Sequence, residues 1–172
     1  LRRQRQMCIR DRYTVAECWY EATRLLKGQA KVPDFKYRAF DFARMEPIDE
    51  RWVEPDAAAG VAWLSYMAYE VFQDPRFLQA AEWALAFLQD CAVRSYNPLY
   101  EVLLPYGALV AARMNAELNR NYEVKTFVNW CFDVSDARPG WGMITGKWGD
   151  YRVDGLIGSL TDREGYAFAM NT

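Results

Sequence analysis

Flat aromatic rings, carboxylates and glycines are interleaved in one run of this chain, DVSDARPGWGMITGKWGDYRVDGLIGSLTDREG, residues 133–165. It carries Trp141, Trp148 and Tyr151, the acids Asp150, Asp154, Asp162 and Glu164, and seven glycines. Glycine frees the backbone for tight turns and close approach. Aromatic faces cover the C–H surface of a pyranose, and carboxylates bind its hydroxyls or move protons. Breaking a glycosidic bond takes an acid that protonates the leaving oxygen and a carboxylate that activates water or attacks carbon. The candidates for that pair are Glu101 and Asp154, followed by Asp150 and Glu54, with Trp141, Trp148, Tyr151, Tyr100 and Arg152 as substrate-binding residues. The same residue types admit plainer readings: Glu54 and Glu101 complement helix dipoles, and Asp150, Asp154 and Asp162 form turns. A second chemistry is also open. A lyase would use a tyrosine to abstract a proton beside a uronic carboxylate held by arginine, with Tyr96, Tyr100, Tyr151, Arg138 and Arg152 as candidates.

The elements that must position these groups read as helical hairpins. A shift of 47 residues superposes Glu54 on Glu101, Gly60 on Gly107, Met67 on Met114, Glu70 on Glu117 and Trp83 on Trp130. A period in the forties suits a pair of helices that cannot bury its apolar faces alone. From Asp56 to Phe72 the chain is apolar nearly all round, the pattern of an inner helix covered on every side, with Trp63 in the core. From Pro75 to Cys91 the apolar residues follow one face, which makes an outer helix with Trp83 also in the core. Asp74 is placed as its N-cap and Pro75 at its first position.

The second hairpin repeats the order. Pro105 falls in the first turn of an inner helix running from about Leu104 to Leu118, where a missing N–H costs little. Asn119-Arg120-Asn121 is the link, and an outer helix follows from Tyr122 to Phe132. Upstream, Thr14 to Lys27 is an outer helix ending at Gly28, and residues 37–42 alternate well enough for a short strand. Links from inner to outer helices are short, whereas the returns, 28–54, 92–103 and 133–164, are long. Function gathers where loops are elaborated, so the site is expected at the N-terminal ends of the inner helices, where Glu54 and Glu101 stand.

Composition excludes several chemistries. The chain has 172 residues, 52% hydrophobic and 16% aromatic, and contains no histidine. With no CxxC pair either, zinc sites and His-based catalytic dyads drop out, and neither metal nor cofactor is expected. Cys18, Cys91 and Cys131 read as buried free thiols in helices, and no apolar run is long enough to span a membrane. The first twelve residues, LRRQRQMCIRDR, hold five arginines and one aspartate without apolar periodicity. They resemble translated sequencing-adapter read-through, so residues 1–12 are read as a non-native or disordered tail and 13–172 as a fragment of a longer catalytic domain. Without them the formal charge moves from −2 to about −6, and no nucleic-acid partner is expected. A native basic arm is the competing reading.

The paired helices, the link FQDPRFLQAAEWALAFL and the Trp- and acid-rich loops at one rim resemble the (α/α)6 toroid, or six-hairpin glycosidase, superfamily. This resemblance implies an all-α fold of antiparallel inner and outer hairpins, a partial (α/α)6 toroid with short strands possible in the rim loops. It implies further a glycoside hydrolase acting on an oligo- or polysaccharide, completed by the remaining hairpins of a parent protein and periplasmic or secreted if it degrades polysaccharide. A polysaccharide lyase and a non-catalytic helical-repeat binding scaffold are the alternatives.

Overall fold

The computed structural model of the chain describes residues 2–148, 150–161 and 167–169. Five helices are present: α1 Arg2–Lys27, α2 Ala57–Phe72, α3 Pro75–Val93, α4 Leu104–Leu118 and α5 Val124–Trp130. Strands β1 (Ala39–Asp41) and β2 (Glu46–Ile48) form a small antiparallel ribbon, and β3 (Trp141–Trp148), β4 (Tyr151–Ser159) and β5 (Ala167–Ala169) an antiparallel sheet in that order. The all-α toroid expectation is therefore corrected: the chain is mixed, with helices and two antiparallel sheets. The physical reason lies in residues 141–159, expected to be a loop, which close into a β-hairpin. Trp148 pairs with Tyr151, leaving only Gly149 and Asp150 between the strands, and a Gly-Asp pair between two such runs suits a two-residue hairpin connection.

The helical part follows the expected order. α2 packs on α3 and α4, α4 packs on α5, and α1 lies against α2 and α3. Asp74 caps α3 by accepting from the Arg76 N–H at 3.0 Å, with Pro75 in the first turn. Its second oxygen accepts from the Tyr13 hydroxyl at 3.1 Å, and the Arg76 guanidinium bridges it to Glu17 of α1. One cap thus fixes three helices together. α1 begins at Arg2, well before Thr14, so the basic run continues the same helix.

Small residues set the spacing between α2 and α4. Ala58, Ala59 and Ala62 are fully buried, and Gly107 lies so close to Ala59 that a Cβ there would stand 2.8 Å from the alanine methyl. Leu85, Leu88, Leu104, Val110 and Met114 fill the rest of the core, each worth about 1.5–3 kcal/mol when fully withdrawn from water. Two core expectations are corrected. α2 is not covered all round: Trp63 is 40% exposed and packs its ring 5.3 Å from that of Tyr106, itself 43% exposed. Trp83 is half-buried on the outside, stacked on Tyr20 with the Lys27 ammonium over it. Periodicity reports that a residue is apolar, and it does not report what lies against it.

Candidate functional site

The segments before α2 and α4 are stitched side by side, and both expected glutamates ride on them. Asp56, 2% exposed, stands at the N-cap position of α2 but makes no cap to its own helix. Its carboxylate instead accepts from the backbone N–H of Glu101 at 3.0 Å, and from those of Tyr100 and Leu103. Leu103 is the N-cap of α4, the position that the 47-residue repeat equates with Asp56. A leucine has no side-chain acceptor, so the aspartate of one hairpin serves the entry of the next. Burial pushes the Asp56 carboxyl up to about 6, against the pull of those three N–H groups, and the nearby Glu54 charge adds to the rise.

Glu54 is half-buried, with its N–H bound to the Tyr37 carbonyl at 2.9 Å and its carboxylate accepting from the Trp52 indole at 3.3 Å. Its carboxyl is raised above the ordinary range, chiefly by burial and further by the charge of Glu101, while the Trp52 hydrogen bond and the charges of Arg38 and Arg138 pull the other way. Trp52 presents one face to the Arg38 guanidinium, 4.7 Å from the ring centre, and Arg38 is ion-paired with Glu50. Glu101 is ion-paired with Arg138 at 3.2 Å. Arg138 in turn stacks on Trp141, 3.5 Å from the ring centre, and lies 5.1 Å from that of Tyr100.

A buried asparagine holds Arg138 in place. Asn97 donates to the carbonyls of Trp130 and Val134, accepts from the Leu99 N–H, and takes the Asp136 carboxylate on its own N–H at 2.6 Å. The Ser135 hydroxyl donates to the Leu99 carbonyl and accepts from the Arg138 N–H. The segment leading into α4 and the segment leaving α5 therefore form one polar-stitched unit, which brings Arg138 onto Glu101.

Beside these groups an open groove of about 390 Å³ runs along α2 and α4, lined by Trp19, Ala57, Gly60, Trp63, Leu103 and Tyr106 among others. Such a volume is in the range of small-ligand sites, and three of these walls are aromatic. Ala57 directly follows Asp56, and Leu103 lies two residues past Glu101, so the groove starts where the carboxylates are.

The structure thus groups Glu54, Glu101, Tyr100 and Trp141 with Arg138. The hairpin candidates are engaged differently. Asp154 accepts from the Gly146 N–H at 2.8 Å and pairs with Arg152 at 3.3 Å, the two side chains being 55% and 81% exposed. Asp150 is exposed at the β3–β4 turn and Tyr151 is 76% exposed. Asp154 thus takes the turn-and-bulge role that was its plainer reading, opposite Thr145 where the strand register shifts. Trp141, expected in a groove, is 2% exposed and acts as the floor under Arg138. Trp148 is in β3, with its side chain outside the described residues, as are Asp162 and Glu164. Sequence reasoning missed Asp56, Trp52, Trp63 and Tyr106. An aspartate just ahead of an apolar run signals a cap, but no local signal tells that its partner lies 45 residues away.

Among the described residues no cluster of three or more His, Cys, Asp or Glu side chains could hold a metal ion, and no helix is long and apolar enough to cross a membrane. The chain matches no family model, and neither a curated protein nor a solved structure matches it.

Proposed function

We propose that the chain carries a carbohydrate-active site of the glycoside hydrolase class, with Glu54 as the proton donor and Glu101 as the second carboxylate. The observation that carries this reading is the placing of two glutamates on adjacent stitched segments, in unlike surroundings, at the mouth of an aromatic-walled groove. Glu54 has its carboxyl raised by burial and by its neighbour's charge, the condition a general acid needs near neutrality. Glu101 instead carries an arginine. Pairs of carboxyls whose environments push them apart in this way divide the acid and base roles. Trp52, Trp63 and Tyr106 offer exposed ring faces of the kind that cover a pyranose. The lyase alternative calls for an arginine on the substrate carboxylate, and Arg138 is engaged by Glu101, which favours the hydrolase.

The test is turnover of an oligosaccharide panel by the whole chain, with product analysis, alongside E54Q, E101Q and D154N. Loss of about 10²–10⁴-fold in kcat for the two glutamate variants, with glycan binding kept and D154N near wild type, is the expected result. Unsaturated uronic products would turn the assignment to a lyase. Absence of turnover with binding intact in the wild type would make it a binding scaffold, and full activity in E54Q and E101Q would remove the pair.

A further inference from the structure

We propose that Asp56 is a pH-sensitive clasp, a positioning residue that holds the segment 100–103, and with it Glu101, against the entry of α2. The geometry is specific. A side chain at a helix N-cap position ordinarily satisfies its own helix, yet Asp56 makes no such bond and is spent on the amides of Tyr100, Glu101 and Leu103. It is 2% exposed, so no water can replace it at those amides without the segment moving. Two residues before it stands Glu54, and the residue whose amide it grips is Glu101. The distance between the two glutamates is therefore governed by this one carboxylate.

Protonation changes what the clasp can do. A carboxylate has two acceptor oxygens for three donors, whereas the acid form turns one oxygen into a hydroxyl that faces N–H groups. At least one amide then loses its acceptor. The charged groups around Asp56 are Glu54 on its own turn and Glu101 on the gripped segment, with Arg138 bound to Glu101 and Arg38 acting on Glu54. Both glutamates disfavour a third negative charge, and burial does so more strongly. The gripped carboxyl thus changes state near pH 6, where the ionised clasp gives way to a neutral one.

The consequence for turnover rests on the reading of Glu54 and Glu101 as the reacting pair, but the clasp is tested without substrate. Amide hydrogen exchange of the full chain, expressed as protection relative to the unfolded rate, is followed at Tyr100, Glu101 and Leu103 from about pH 7.5 to about pH 4.5, bracketing the Asp56 transition. Protection is expected to fall about tenfold for each hydrogen bond given up, while amides in the middle of α3 keep theirs. In D56N, whose amide still offers one acceptor oxygen, protection at 100–103 is lower and no longer follows pH. Protection that is flat with pH in the wild type overturns the proposal, and so does a D56N variant with the wild-type profile. The wild-type series decides alone if D56N does not fold. Where a glycan substrate is found, kcat/KM falls on the acid side in the wild type and that limb is lost in D56N. Loss of the exchange profile with turnover present refutes the clasp only, and the converse refutes only the hydrolase reading.

Discussion

Gly60 and Gly107 occupy equivalent places in the 47-residue repeat, yet alanine at the two should act in opposite directions. At Gly107 a Cβ would sit 2.8 Å from the Ala59 Cβ, 2.9 Å from Leu88 Cδ1 and 3.3 Å from the Ala59 Cα. Carbon atoms rest at about 3.5–4.0 Å, so α2 and α4 would have to part by up to about 1 Å. Leu88 can turn its methyl away, but Ala59 is fixed to the α2 backbone and has no rotamer to change. Overpacking of this kind costs about 1–3 kcal/mol, from which the helical preference of alanine over glycine returns about 1 kcal/mol. With a backbone-mounted obstacle the upper half of the range applies, leaving G107A less stable by about 1–2 kcal/mol. At Gly60 the nearest atoms are the Leu103 side-chain tip at 3.3 Å and 3.7 Å, which can yield. G60A should therefore keep most of the propensity gain and be more stable by roughly 0.5–1 kcal/mol. Thermal unfolding followed by circular dichroism, at one pH and protein concentration, would show a midpoint lower by roughly 2–8 °C for G107A and higher by roughly 1–4 °C for G60A. A G107A midpoint at or above wild type would refute the inferred closeness of the α2–α4 contact. A G60A loss as large as that of G107A would refute the distinction between yielding and fixed neighbours.

Two further outcomes follow from buried and capped carboxylates. Asp56 has a native value near 6 against an ordinary 3.8, so the folded chain binds this proton more tightly and global stability should rise as pH falls between those values. The gap corresponds to roughly 3 kcal/mol, and urea unfolding at several pH values should show the gain in wild type and its absence in D56N. This global trend has the opposite sign from the local loosening at 100–103, because burying the ionised group is costly overall even while it secures three amides. Asp74 behaves in the other sense: its hydrogen bonds with Arg76 hold its carboxyl down to about 2, so its contribution is complete above about 3.8 and is lost as pH falls through about 2. D74A, which removes the α3 cap and the tie to Tyr13, should cost about 0.5–2 kcal/mol in the same assay near pH 7, and an unchanged midpoint would show that the hub contributes nothing.

The helices were legible because their signals are local. Asp74-Pro75 marks the start of α3, Pro105 fits the first turn of α4, and the α4 limits of Leu104 and Leu118 match the expected ones. α5 is shorter than its apolar run, Val124–Trp130 in place of Tyr122–Phe132, because the Tyr122 N–H is taken by the Asn115 side chain at 2.8 Å before the helix begins. The β3–β4 hairpin was not legible, and glycine is the reason. Glycines depress strand propensity when taken one by one, so a run with Gly142, Gly146, Gly155 and Gly158 reads as loop. In the folded chain two of these are what let the strands form. A Cβ at Gly142 would stand 3.0 Å from the Asp133 carbonyl and 3.2 Å from the Val134 Cα, so only glycine lets β3 lie against that backbone. Gly155 has φ +85° where the register shifts opposite Ile144 and Thr145, a conformation that other residues rarely adopt.

The site divides along the same line. Glu54 and Glu101 could be placed at one rim because each stands at the start of a helix whose period is visible in the sequence. Pairing Glu101 with Asp154 required knowing where residues 141–159 fold, and that was hidden behind the glycines. With the hairpin formed, Asp154 is held by Gly146 and Arg152, whereas Glu54 and Glu101 are joined through Asp56. The partner of Glu101 is thus decided by a buried aspartate that carries no local sign of its reach. This makes D56N a sharper probe of the site than any substitution on the hairpin: it leaves both glutamates and every aromatic ring in place and alters only the bonds that set their spacing.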